Sequence, residues 1–83
     1  MERLGTGFCV DGLYKGRGRG NYDGIESQKS CNDACLADDQ CKFAAWRPNL
    51  TCARYNVPVC VLNDNPNPIT YKKKSLGISI TIF

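Results

Sequence analysis

Six cysteines in 83 residues, four of them from Cys31 to Cys52, constrain this chain more than any apolar pattern does. A chain of this length buries only about 60% of the surface its unfolded form exposes, so its core is marginal and covalent cross-links are the common remedy. The number is even, as full pairing requires. There is no C-x-x-C pair and no histidine. That combination lacks both the knuckle spacing and the imidazole ligands of structural zinc sites, and it lacks the dithiol of thioredoxin-like redox chemistry. The cysteines therefore read as three disulfides formed in an oxidising compartment, which makes the protein secreted or extracellular.

The rest of the composition narrows the function classes. Eleven basic and eight acidic residues leave a net charge of +3, a modest tilt toward anionic partners that does not amount to a nucleic-acid binder. No run of apolar residues is long enough for a transmembrane helix, so membrane insertion is not expected. Met1-Glu2-Arg3-Leu4-Gly5 lacks the apolar stretch of a signal peptide, so Met1 reads as an expression start or an accident of numbering in a processed chain. Without histidine there is no Ser-His or Cys-His pair, and disulfide-bonded cysteines are not nucleophiles. Asp38-Asp39 and Asp64 read as turn formers, and Asn63-Asp64-Asn65 lacks the glycine and distal glutamate of an EF-hand. No enzymatic activity, metal or cofactor is expected.

Glycines break the first third of the chain, where short strands are expected at Gly7 to Val10 and around Tyr22 to Ile25. Ser27 is a good N-cap, and the helix it opens is expected from Gln28 to about Ala37. Cys31 and Cys35 stand four apart in it, so both sulfurs leave one face. Asp38-Asp39 then turns the chain into Cys41 to Trp46 and Thr51 to Tyr55, two strand-like segments that read as a hairpin packed on the helix. Phe43, Trp46 and Tyr55 belong on that hairpin as core residues, with a ligand groove as the alternative. Val57 to Leu62 reads as a further strand near an edge because of Pro58, and Asn63 to Pro68 as a strong turn. Ile69 to Lys74 and the alternating Leu76, Ile78, Ile80 and Ile82 close the chain, the latter with the period of a strand that has one buried face.

The block Ser27-x-x-x-Cys31-x-x-x-Cys35-x-x-x-x-x-Cys41-x-Phe43-x-x-Trp46, followed by Thr51-Cys52-Ala53-Arg54-Tyr55, resembles the PAN/apple family over roughly residues 25 to 56. The resemblance implies a small disulfide-rich α+β fold with one helix on a small antiparallel β-sheet. It also implies a nested pairing: Cys35 with Cys41, Cys31 with Cys52, and Cys9 with Cys60 as a terminal clasp. Loop entropies for those pairs, taken singly, are roughly 2.4, 3.4 and 4.1 kcal/mol. Twenty-three residues follow Cys60, more than the family pattern has after its last cysteine. The chain accordingly divides into a PAN/apple-like core, 1 to 62, and a turn with a C-terminal strand, 63 to 83, which either belongs to the same domain or forms an assembly arm.

Function must then lie in surface features. Lys15, Arg17 and Arg19 interleave with glycines between Tyr14 and Tyr22, and Lys72, Lys73 and Lys74 form a second basic cluster. Together they make candidate ligands for an acidic glycan, with guanidiniums on anionic groups and tyrosines on sugar faces. The plainer reading is a solvated loop and an edge strand protected by lysines against aggregation. Asn49-Leu50-Thr51 fits an N-glycosylation sequon on an exposed turn. The terminal Leu76, Ile78, Ile80 and Ile82 either complete the chain's own sheet or add to a neighbour's. The leading expectation is a secreted, non-enzymatic binding module for a protein or carbohydrate partner. The alternatives are a structural subunit of an extracellular assembly, using the last strand for self-association, and an inhibitor-like or toxin-like disulfide protein.

Overall fold

The one helix is nine residues long and mostly polar, too short to persist alone in water. In the computed structural model, which describes residues 1–16, 25, 27–47 and 51–73, it is held at three points. Helix α1 runs Gln28–Leu36, and Ser27 caps it in an extended conformation, its hydroxyl oxygen accepting the Ser30 N–H at 3.0 Å. On its inner face Cys31 is bonded to Cys52, and Cys35 is bonded to Cys41 just past the following turn. The Asp38 carboxylate shapes that turn by accepting the Gln40 N–H, and the Asp38 carbonyl accepts from Cys41. The helix ends one residue short of the expected Ala37, which serves as its C-cap.

Five antiparallel strands form the sheet: β1 (Glu2–Thr6), β2 (Leu13–Lys15), β3 (Phe43–Trp46), β4 (Cys52–Tyr55) and β5 (Ile69–Lys72), in the order β1-β5-β3-β4-β2. The protein is thus a small disulfide-rich α+β fold, one helix on an antiparallel sheet. The expected hairpin is β3–β4, with Phe43 opposite Tyr55 and Trp46 opposite Cys52. Its alternation sends Ala44 and Cys52 toward the helix, where they pack with Ile25, Cys31, Cys35 and Cys41. Phe43, Ala45, Ala53 and Tyr55 point the other way and pack with Cys9. Both faces are covered, so β3 and β4 are almost wholly buried.

The cover on the second face is irregular backbone, and here the sequence expectations need correction. Gly7 to Val10 and Val57 to Leu62 are not full strands. They meet in a single bridge, Cys9 opposite Leu62, flanked by Val10 N–H to the Val61 carbonyl and Asn63 N–H to the Phe8 carbonyl. The Cys9–Cys60 disulfide ties the same two segments together. Of the segment expected around Tyr22 to Ile25, only Ile25 is among the described residues, and it is a core residue outside any strand.

Two strands change the organisation drawn from the sequence. β1 lies before the first expected strand, and β5 sits inside the sheet between β1 and β3. No architectural boundary therefore falls between 62 and 63: Thr70, in the stretch set aside as an extension, is fully buried and its hydroxyl donates to the Gly7 carbonyl at 2.5 Å. Leu76, Ile78, Ile80 and Ile82 lie outside the described residues. Among those described, no helix is long and apolar enough to cross a membrane. The three disulfides fit an oxidising, extracellular environment.

Candidate functional site

On the sheet face away from the helix, a groove of about 180 Å³ opens beside the edge strand β2. Ala53 and Tyr55 alternate onto this face from β4 and form its floor, and Leu13 joins them from β2. Phe8 is brought to the rim by the irregular cover, held next to Cys9 and its disulfide. Arg47, one residue past β3, completes the groove. Its guanidinium lies 5.2 Å from the centroid of the Phe8 ring, in the range of a cation–π contact.

Two hydrogen bonds fix this end of the sheet. The Arg47 N–H donates to the Thr51 carbonyl at 3.0 Å, and the Thr51 hydroxyl donates to the Gly16 carbonyl at 2.6 Å. The ends of the segment that carries Asn49 are thereby tied to each other and to the residue preceding Arg17. Asn49 itself lies outside the described residues, as do Arg17, Arg19, Tyr22 and Lys74.

The electrostatics of the groove are one-sided. Among the described residues the ion pairs are Lys15–Asp38 and Lys29–Asp33, so Arg47 has no carboxylate partner there. The Tyr55 hydroxyl likewise makes no hydrogen bond among the described residues. Burial pushes its pKa up to about 12, against the opposing charge of Arg47, so the phenol stays a neutral donor across physiological pH.

The basic residues singled out from the sequence are used differently. Tyr14, Lys15 and Lys73 converge on Asp38: the Tyr14 hydroxyl donates to its carboxylate at 2.7 Å, Lys15 reaches the same oxygen at 3.4 Å, and the Lys73 ammonium donates to its carbonyl at 2.9 Å. Lys15 also lies over the Tyr14 ring. Two clusters far apart in the chain thus meet at the turn after the helix, where they brace the fold. Lys72 stays exposed on β5. Phe43 is core, Trp46 packs on the helix side, and of the three hairpin aromatics only Tyr55 lines the groove. Phe8 and Arg47 carried no sequence signal beyond adjacency to Cys9 and to the hairpin connection.

The Tyr14–Asp38 bond makes stability depend on pH. Asp38 is held down to about 2, first by the Tyr14 hydrogen bond and then by the Gln40 N–H, while Tyr14 is pushed up to about 12 by burial and then by Asp38. A carboxylate with a depressed folded pKa contributes above its unfolded value and loses that contribution as pH falls toward the folded one. Urea midpoints of the wild type are therefore expected to fall between pH 3.8 and about 2. Tyr14→Phe starts from a lower midpoint and declines less over that interval. Parallel acid limbs in the two proteins would show that the bond carries no such linkage.

Fold and site together define a small disulfide-stapled α+β module with a cationic aromatic groove. No protein-family model, curated protein or solved structure matches the chain.

Proposed function

We propose that the chain is a secreted, non-enzymatic binding module of PAN/apple type that takes a carbohydrate or protein partner at the Phe8–Arg47–Tyr55 groove. The observation that carries this reading is Arg47, within cation–π range of Phe8 at 5.2 Å and left without a carboxylate among the described residues. A guanidinium carries five N–H donors in a planar fork suited to carboxylate and sulfate groups. The cysteines are all spent in disulfides, so no thiol competes for a catalytic role. Lys15 and Lys73 already serve the Asp38 turn, which favours the groove over the basic loop as the point of contact.

The test is a titration of the ¹⁵N-labelled chain with small saccharides and short acidic peptides, followed by two-dimensional NMR. The largest shifts are expected at Phe8, Arg47, Thr51, Ala53 and Tyr55. Silence at these residues across the whole panel, or shifts confined to Lys15, Lys72 and Lys73, would move the site elsewhere.

A further inference from the structure

We infer that the C-terminal segment of the chain, Leu76 to Phe83, docks on its own molecule, against an apolar patch formed by Val10, Val59 and Val61. The patch flanks one disulfide. Cys9 and Cys60 are bonded, and the Val10 N–H donates to the Val61 carbonyl at 2.9 Å, so all three valines belong to the two segments that this cross-link ties together. They are nonetheless the most exposed large apolar residues among those described, at 55%, 72% and 61%. Single exposed apolar side chains need no explanation, but three around one bond make a contiguous patch, the mark of a surface that something covers. No charge interrupts the second segment, since residues 56 to 63 are all uncharged.

The place where the chain leaves the sheet selects the occupant. β4 and β5 both run antiparallel to β3, and Phe43 stands opposite both Tyr55 and Lys72, so the two strands end at the same side of the sheet with one strand between them. Beyond them the Lys73 N–H donates to the Lys42 carbonyl, and the Lys42 N–H donates to the Tyr55 carbonyl. Lys73 therefore lies about two strand spacings, ~10 Å, from the start of the segment that carries Val59 and Val61. Ten residues follow Lys73, with an extended reach of at most about 35 Å, so distance is no obstacle. Their pattern fits as well. From Ser75 to Phe83 there is no charge, and apolar residues at 76, 78, 80 and 82 alternate with small or polar ones, which gives an extended segment one face to bury and one to leave in water. Setting that face on the valines removes both from water without stranding a charge. A second copy offers the same segment, but the tether holds the chain's own at an effective concentration of order millimolar, so the intramolecular contact wins.

The experiment uses the intact, disulfide-bonded chain with ¹³C-labelled isoleucine and valine methyls, a sparse set because the four valines, Val10, Val57, Val59 and Val61, all lie on the two segments in question. Nuclear Overhauser contacts are expected from Ile78 or Ile80 to Val59 or Val61, and they should persist unchanged on about tenfold dilution. A mixture of chains labelled only at isoleucine with chains labelled only at valine should show none. Deleting residues 76 to 83 should shift the Val10, Val59 and Val61 methyls and leave Ile25, in the core on the helix side, in place. It should also raise the fluorescence of a dye that binds apolar surface by about twofold or more. Ile78→Ser with Ile80→Ser, which keeps the chain length, should reproduce both effects. Valine methyls that ignore the deletion, or tail contacts confined to other parts of the surface, would overturn the inference. So would isoleucine–valine contacts in the mixed sample, which would make a second copy the occupant.

Discussion

A Cys31→Ala, Cys52→Ala double variant is expected to lose about 4 kcal/mol or more of stability, with a urea midpoint far below that of the wild type and the far-ultraviolet signal of α1 weakened. The bond closes a loop with a sequence separation of 21, for which chain entropy gives about 3 kcal/mol. Its sulfurs also fill space that nothing else can fill: Cys31 is fully buried and Cys52 nearly so, between the helix and Ala44. Truncating both leaves a void in a core cluster of only six buried residues, adding about 1 kcal/mol or more. A domain of this size has only about 4–12 kcal/mol to lose. The helix is the first casualty, because it is nine residues long and has no extended apolar stripe to hold it once the bond is gone. Cys35→Ala with Cys41→Ala should be milder, since that bond spans a separation of only six and closing so short a loop contributes about 2 kcal/mol. A Cys31/Cys52 variant that melts cooperatively within about 1 kcal/mol of the wild type would show that packing, and not the cross-link, holds the helix.

The parts of this fold that were legible in the sequence are those whose cause is local. Ser27 caps through its own hydroxyl, the four-residue spacing of Cys31 and Cys35 sets their common face, and the β3–β4 hairpin carries its aromatic and cysteine residues within one short stretch. β1 was hidden because an edge strand with one weakly covered face needs no alternation: Glu2, Arg3, Leu4 and Thr6 are all exposed. β5 was misplaced for a different reason: Lys72 to Lys74 suggest an edge strand, yet β5 lies inside the sheet between β1 and β3. Its partners, β1 and β3, lie far from it in the chain, and Thr70 is buried by virtue of a hydrogen bond to Gly7 that no local pattern announces. The candidate site follows the same division. Counting lysines and arginines found the cations but not their use, since Asp38 gathers Lys15 and Lys73 from opposite ends of the sequence. Phe8 and Arg47 meet only because a disulfide to Cys60 and the return of the hairpin bring their segments to one rim.

Gly16 is where fold and groove depend on the same atom, and Gly16→Ala is expected to destabilise the protein by about 3 kcal/mol or more. The residue leaves β2 with φ of 84°, in the left-handed region that side chains disfavour by about 1 kcal/mol. Steric collision costs more. A Cβ there would run into the carbonyl oxygen and carbon of Cys52 and sit 2.9 Å from the Ala53 Cα, and strand backbone cannot turn aside as a side chain can. β2 would have to separate from β4, giving up the pairing of Leu13 with Tyr55 and the Thr51 hydrogen bond to the Gly16 carbonyl. Gly5→Ala is the informative comparison. Its Cβ would meet only the Cδ1 of Leu62, at 2.9 Å, the end of a flexible side chain, so a cost below about 1 kcal/mol is expected. Urea midpoints of the two variants decide the matter, and a Gly16→Ala protein as stable as Gly5→Ala would mean that β2 is not locked to β4 at this point. Because Gly16 and Leu13 both line the groove, the same variant should also weaken ligand shifts at Tyr55 under conditions where it remains folded. Stability and binding would then fall together, through one displaced strand.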